Sequence, residues 1–493
     1  MRVLVLAALL VLAAAPVAAA GRTRADPRLA LPALHAVADL ARGGRIVDAR
    51  GREVLLRGVN VNALADYWKG TRFATTFRLG PRDPGRMAAI GWDAVRLLVS
   101  WSRVEPAPGR YDERYLGRVA AAATALRDRG LYTIVDFHQD AWGATLAAPD
   151  GTDCPPPSEP AIGWDGAPGW ATLDGGLPRC FNVGARGQPR RAPGRQSFFA
   201  DADGVQDRYV AMIGHVARRL ARAPWIAGYD LMNEPNAFGP SEPAQLSAMY
   251  GRALRAIRAG ERAAHGFSHL VLFEPSVLWS AVGSGAPPDF TRDRNVVYAP
   301  HIYTGGFDDG PITRAAFQVA RDEAAGFGGV PVLSGEWGSG PARASDRSDR
   351  YFRDHQALQD EFRFGATLWT WRESCGDPHK VGDFRAGRLP EVWGEFAVDC
   401  RNNRVTGTRD ALVAQLRRGY VRAAPGRLQR THWDDRRRIL TASGRGPASA
   451  GPFVAFAPGV ARIATRGLRD VRRDGDLIVA APAGGAWSLT ARP

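Results

Sequence analysis

Thr133–Ile134–Val135–Asp136–Phe137–His138–Gln139–Asp140 is the stretch that decides how this chain folds. It begins as an apolar run of strand length and ends in polar side chains, with helical periodicity before it at 112–128. Runs of the same kind recur at 94–100, 226–233, 269–274, 296–303, 331–337 and 366–371, and a first one ends in Gly58–Val59–Asn60–Val61–Asn62. Further helical periodicity occupies 206–221, 242–263 and 348–363. Buried strands that alternate with helices form a parallel sheet, and eight such units close into a (β/α)8 TIM barrel.

Three other regions flank the barrel pattern. Residues 1–20 read as a signal peptide: Arg2 is followed by a short apolar run and by Ala18 and Ala20 before Gly21. Export makes the protein secreted, extracellular or periplasmic; the alternative is an uncleaved N-terminal anchor. Residues 21–423 are assigned to the catalytic domain, opened by a hairpin around 45–57. Residues 424–493 carry short β-like stretches split by Gly and Pro, and are expected to form a small C-terminal β-sandwich-like domain. Residues 141–203 make one long connection after the third strand, rich in Gly, Pro, Asp and Trp. Long connections on this side of a barrel are usually functional.

Export also permits disulfides. The four cysteines allow three pairings. Neighbours in sequence, Cys154 with Cys180 and Cys375 with Cys400, would each close a loop of about 25 residues, and this pairing is the one expected. No CxxC or paired-His spacing is present, so no metal is expected.

The net charge is +15, and only Lys69 and Lys380 among the 65 basic residues are lysines. The arginines are scattered, without a recognition helix or an aromatic RNA motif, so nucleic acid is not an expected partner. Attraction to anionic surfaces, including transient contact with a membrane or micelle, fits the charge. Oligomeric state is not legible.

The chemistry lies where the strands end. C-terminal strand ends converge on one face of a barrel. Polar or aromatic groups sit there at Asn60, Asn62, Arg96, His138, Gln139, Asp140, Asn233, Glu234, Glu274, His301, Tyr303, Glu336, Trp369 and Trp371. A retaining glycosidase needs two carboxyl groups about 5–5.5 Å apart. Glu234 after strand 4 and Glu336 after strand 7 face each other across such a mouth. Glu234 would be the acid/base, its pKa raised to keep it protonated. Glu336 would be the nucleophile, kept ionised by Arg96 and Tyr303. Asn233 would meet the sugar 2-hydroxyl. Glu274, in Phe273–Glu274–Pro275, imitates an acid/base motif but is read as a structural carboxylate. No cofactor is required.

The order Arg96, His138, Asn233–Glu234–Pro235, His301–x–Tyr303, Glu336, Trp369 resembles glycoside hydrolase family 5 of clan A over about 45–371. The resemblance implies Glu234 as acid/base, Glu336 as nucleophile, Arg96, His138, Asn233, His301 and Tyr303 as support, and Trp369 as the floor under the sugar. Asp136–Phe137–His138–Gln139–Asp140, Gly166–Ala167–Pro168–x–Trp170 and Trp369–Thr370–Trp371–x–Glu373–Ser374–Cys375–Gly376–Asp377–Pro378 look like the endoglycoceramidase-related branch, from which Phe137 and Gly143 depart. That likeness implies hydrolysis of the β-linkage between sugar and ceramide or a related lipid. It implies His138, Asp140 and Lys69 on the glucose hydroxyls. Trp170 would be an aglycone-side platform or an ordinary loop-core tryptophan. A β-glucosidase or an endo-β-glucanase or mannanase is the alternative within the same chemistry. A non-catalytic carbohydrate- or lipid-binding barrel is the remote one.

Overall fold

The computed structural model describes residues 31–173, 179–182, 197–236, 241–283, 285–307, 310–340 and 346–493. The expected signal peptide lies outside them.

Eight parallel strands form the barrel: β1 (Arg57–Val61), β2 (Ala94–Ser100), β3 (Tyr132–His138), β4 (Ile226–Asp230), β5 (Leu270–Phe273), β6 (Val296–Tyr298), β7 (Leu333–Trp337) and β8 (Gly365–Leu368). They pair in chain order from β1 to β6, and β8 lies between β1 and β7. A parallel bridge from Tyr298 to Val332 joins β6 to β7 and closes the ring. Helices cover the outside. In the helix Glu113–Arg127, Tyr115, Leu116, Val119, Ala123 and Leu126 recur at three- and four-residue intervals and are buried. Asp112 caps it by accepting the Tyr115 N–H at 2.9 Å, a contact worth about 1 kcal/mol.

The barrel interior changes character from bottom to top. Ala94, Ile134, Leu272, Val297 and Leu333 fill its lower part in one apolar cluster. Two residues further along the strands, on the same inward face, stand Arg96 and Asp136, both fully buried.

The C-terminal region is a β-sandwich. One sheet runs Arg427–Asp434, Ile439–Gly446, Gly485–Arg492, Arg462–Arg466, all antiparallel. The other has seven strands, and here the structure departs from expectation. Leu34–Val37, Arg45–Asp48 and Arg52–Val54 do not belong to the barrel. They continue the sandwich through Tyr420–Pro425, with Val54 opposite Ala423. A boundary at 424 therefore falls inside a strand, and the N-terminal hairpin crosses to the other unit. The physical reason is two-sided burial: Leu34, Ile46, Val54 and Ala423 face the apolar cluster at the barrel bottom, while Val421, Phe453 and Ile478 join Leu428, Trp433 and Trp487 inside the sandwich.

Two disulfides are present, Cys154–Cys180 and Cys375–Cys400. The first pins the small two-stranded sheet Ser158–Pro160 and Cys180–Asn182 within the long insertion. No helix among the described residues is long and apolar enough to cross a membrane.

Candidate active site

Arg96 is the hub. It projects inward from β2, and its guanidinium is fully buried. Its Nε donates to Asp230 at 2.9 Å, Nη1 to Asn60 at 3.1 Å and Glu336 at 3.0 Å, and Nη2 to Asn233 at 3.0 Å and Glu274 at 2.8 Å. Nη2 also lies 3.0 Å from Asp136. Only arginine has enough donors in a planar fork to serve so many acceptors.

Glu336 ends β7. Besides Arg96, it accepts the Tyr303 hydroxyl on Oε2 at 2.9 Å. Burial and the negative charge of Glu336 push the Tyr303 phenol far up, so it remains a donor.

Glu234 follows β4 with φ 41°, a left-handed conformation uncommon outside glycine. Two contacts hold its backbone: its N–H donates to Glu274 Oε2 at 2.9 Å and its carbonyl accepts Gln139 Nε2 at 3.1 Å, while Gln139 also donates to the preceding Asn233 carbonyl at 2.6 Å. Backbone strain of this kind costs about 1–3 kcal/mol and is retained where surroundings enforce it. The carboxyl of Glu234 accepts from His301 Nδ1 at 2.8 Å and from the Ser280 hydroxyl at 3.2 Å.

His301 stands between the acids. Its Nδ1 lies 3.6 Å from Glu336 and its Nε2 3.2 Å from Glu274. Burial alone would lower the imidazole, but the nearby carboxyls of Glu274 and Glu336 together with the hydrogen bond to Glu234 raise it well above its usual value. The expected raised Glu234 is corrected by the same contact. Burial pushes its carboxyl up, yet the His301 hydrogen bond and charge outweigh burial and leave it lowered in the free site. Glu274 is raised by burial to about 8.

An oxygen of Glu234, an oxygen of Glu336 and a ring nitrogen of His301 all lie within 4.8 Å of one another. His138, Asp140 and Asp165 form a second such set, and Glu373, Asp377 and His379 a third. These three sets are where donor atoms for a cation converge among the described residues. His138 gives Nδ1 to Asp136 at 2.6 Å, and Asp140 lies 3.9 Å from its Nε2. Burial lowers the His138 imidazole to about 4, so it is neutral. Its ring stacks on Trp369 at 5.7 Å and 11°. Asn233 gives its amide N–H to the Gln139 carbonyl at 3.0 Å, leaving one amide hydrogen for a ligand.

Two expected site residues are not brought in. Lys69 is exposed, with no contact to the carboxylates; the buried lysine is Lys380, paired with Glu373 at 2.9 Å. Trp170 turns its indole N–H to the Glu105 carbonyl at 3.0 Å and its ring edge-on to Trp101 at 5.3 Å. Its stem is thereby satisfied by core packing rather than held out as a platform.

Several participants were not read from the sequence. Asp136 and Asp230 are acids inside apolar strands, and that interruption was the available signal. Asp165 arrives from the insertion, held by the Ser100 hydroxyl at 3.2 Å. Ser280 carried no signal. Phe307 and Trp393 extend an aromatic wall from Tyr303, at 4.7 and 6.1 Å.

A barrel with two such carboxylates at its mouth belongs to a known class. The model of the cellulase family, glycosyl hydrolase family 5, matches residues 47–374, and the chain belongs to that family. Among solved structures it is similar to an endogalactoceramidase, 37% identical with a TM-score of 0.83, covering 94% of this chain and 100% of that one. It is also similar to endo-glycoceramidase II from Rhodococcus sp. in its lactosyl-enzyme intermediate, 25% identical with a TM-score of 0.68, covering 91% and 99%. Endoglycoceramidase I of Rhodococcus hoagii strain 103S is 29% identical over 280 residues, 53% of this chain. The chain spans about half of that relative's length, 52%.

Proposed function

We propose that this protein is an exported retaining β-glycosidase that cleaves the bond between a sugar headgroup and a lipid aglycone. The carrying observation is that oxygens of Glu234 and Glu336 lie within 4.8 Å of each other across the barrel mouth. So close an approach supports a retaining pair, about 5–5.5 Å between carboxyl groups, over an inverting pair, which stands about 6.5–9.5 Å apart to admit water. Glu336 attacks the anomeric carbon and forms a glycosyl ester, while Glu234 protonates the leaving oxygen. Glu234 then takes a proton from water, whose oxygen displaces Glu336 with net retention. Asn233 supplies its remaining amide hydrogen to the 2-hydroxyl. Trp369 floors the sugar, with His138 and Asp140 at its edge. A Rhodococcus relative captured as a lactosyl-enzyme intermediate supports the double displacement. The 37% identical endogalactoceramidase supports a lipid aglycone. The disulfides fit an oxidising compartment, as does the leader-like segment 1–20. The net charge of +15 favours transient contact with an anionic membrane or micelle.

The test is mass spectrometry of sugar released from glycosylceramides and, in parallel, from soluble β-glucans, with the anomer read by NMR. Release from glycosylceramide as the β-anomer is expected. Release from glucan alone rejects the lipid assignment, and an α-anomer rejects the double displacement.

A further inference from the structure

A groove of about 450 Å3 opens between the loop after β1 and the loop after β8, with Thr71, Arg72, Phe73, Phe384, Arg388 and Leu389 in its lining. Ligand sites commonly enclose about 300–1,000 Å3. Both loops leave C-terminal strand ends, so the groove shares the face that carries Glu234 and Glu336. In the ring β8 stands opposite β4, which places the groove across the mouth from Glu234. Glu234 marks the side on which the aglycone departs. A sugar chain kept over Trp369 therefore continues the other way, toward β8 and β1. The rim between is continuous. Trp369 and Trp393 pack in one apolar cluster, and the Trp393 N–H donates to Glu373. Glu373 pairs with Lys380, which leads into the short helix Val381–Arg385 that carries Phe384.

The lining is part aromatic and part cationic. Phe73 and Phe384 form a pair with ring centres 5.9 Å apart. Arg72 and Arg388 supply positive charge, and no acid lines the groove among the described residues. Arg388 pairs with Asp383 at 2.8 Å. Arg72 has no carboxylate partner among the described residues. Its Nη2 donates to the Arg401 carbonyl at 3.0 Å, and its guanidinium lies 4.9 Å from the Phe73 ring centre. One such bond leaves most of its five donors unused. Exposed Lys69, just before this stretch of chain, adds to the positive field. Aromatic rings suit the apolar face of a sugar, and a guanidinium fork suits a carboxylate or sulfate. A lipid tail fits neither the position, opposite Glu234, nor two guanidinium groups.

We propose that this groove holds an acidic outer sugar of the headgroup, with Arg72 and Arg388 gripping its carboxylate or sulfate. The proposal rests on the retaining-glycosidase reading above and adds to it the class of headgroup: more than one sugar, with an anion beyond the residue at the cleaved bond. Arg72 and Arg388 touch no reacting atom and act as specificity residues, so their effect lies in KM.

The test uses three lactosylceramides in neutral detergent micelles: unmodified, sialylated on the galactose and sulfated on the galactose. For at least one acidic substrate kcat/KM should exceed that of the neutral one by about tenfold or more. The gain should lie in KM and shrink as salt is raised. Preference for the sialylated, the sulfated or both substrates identifies the anion; equal values for all three overturn the proposal. In Arg72→Gln combined with Arg388→Gln the acidic-to-neutral ratio should fall to about one. Each ratio is taken on one preparation, so a reduced folded fraction cancels. A ratio that stays at the wild-type value overturns the assignment to these arginines. Wild-type protein alone supplies a second measurement: sialyllactose or sulfated lactose should inhibit cleavage of a dinitrophenyl glycoside more tightly than lactose does, and equal inhibition is the contrary result. An anionic phospholipid, added to micelles of the neutral substrate, separates a surface effect. If it raises kcat/KM as much as the acid on the sugar does, while the soluble acidic sugars inhibit no better than lactose, the arginines serve a lipid surface and the proposal fails. No sugar released from any of the three lipids defeats the lipid-cleaving reading itself. Release without acidic preference defeats only the headgroup class.

Discussion

Tyr303→Phe removes one hydroxyl and leaves the ring. Its hydroxyl donates to Glu336 Oε2 at 2.9 Å, and its ring stacks on Phe307 at 4.7 Å, so phenylalanine retains the packing. A hydrogen bond to a charged group contributes about 1.5–3 kcal/mol. The two half-reactions feel its loss differently. In glycosylation Glu336 gives up charge, so the bond weakens toward the transition state and its loss does not slow that step. In deglycosylation Glu336 regains charge, and the hydroxyl stabilises it as it leaves. Deglycosylation should therefore slow by about 10- to 150-fold. With a dinitrophenyl glycoside in stopped flow, the variant should give a burst of one equivalent of phenol and then slow turnover, and the glycosyl-enzyme should be visible by intact mass. The thermal melt should stay near wild type. Slowed glycosylation without a burst, or turnover within twofold of wild type, would refute the reasoning.

Other expectations follow from the same geometry. Glu336→Gln should lower kcat on a glycosylceramide by about 10^4-fold or more, read by released sugar; substantial residual turnover would remove Glu336 as nucleophile. Glu395 is buried with Oε2 unpartnered, its other oxygen accepting the Trp92 indole N–H at 3.0 Å, and burial pushes its carboxyl from 4.5 up to about 8. A raised carboxyl favours the fold while protonated, and that stability is lost as pH climbs from 4.5 through 8. Glu395→Gln should match wild type near pH 4.5 and exceed it by up to about 5 kcal/mol at pH 8.5, read by urea denaturation at both pH values; an equal difference at both is the contrary result. Cys375→Ala with Cys400→Ala opens a cross-link spanning 25 positions and should cost about 3.5 kcal/mol. A thermal melt unchanged by the substitution or by reductant would contradict it.

Much of the barrel was legible because its strands are apolar runs that stop at polar groups. Arg96 was conspicuous as a full charge in the middle of such a run. Asp136 and Asp230 carry the same signal, yet an acid inside a strand is usually assigned to local pairing, and its partner across the barrel is invisible along the chain. Glu274 was read as structural from its imitation motif. Its bonds to Arg96 and to the Glu234 N–H, and its place beside His301, depend on how β2, β4, β5 and β6 lie relative to each other, which no local pattern encodes. The lowered Glu234 was missed for a similar reason: the expectation weighed burial and omitted His301 at 2.8 Å. Lys69 attracted notice through rarity, but rarity marks Lys380 equally, and only packing separates an exposed lysine from a buried one. The hairpin at 45–57 looked like the barrel's beginning because it adjoins β1; its true partner lies more than 350 residues later in the chain.

That long-range pairing makes the two ends of the chain answerable to each other. A ribosome finishes the barrel before it releases Tyr420–Pro425, so Arg52–Val54 waits with one row of amide and carbonyl groups bare, an edge that invites another chain. A protein trimmed at Gly419 would carry that edge permanently and should come out of solution as aggregate, although every group named in the catalytic mouth would still be encoded.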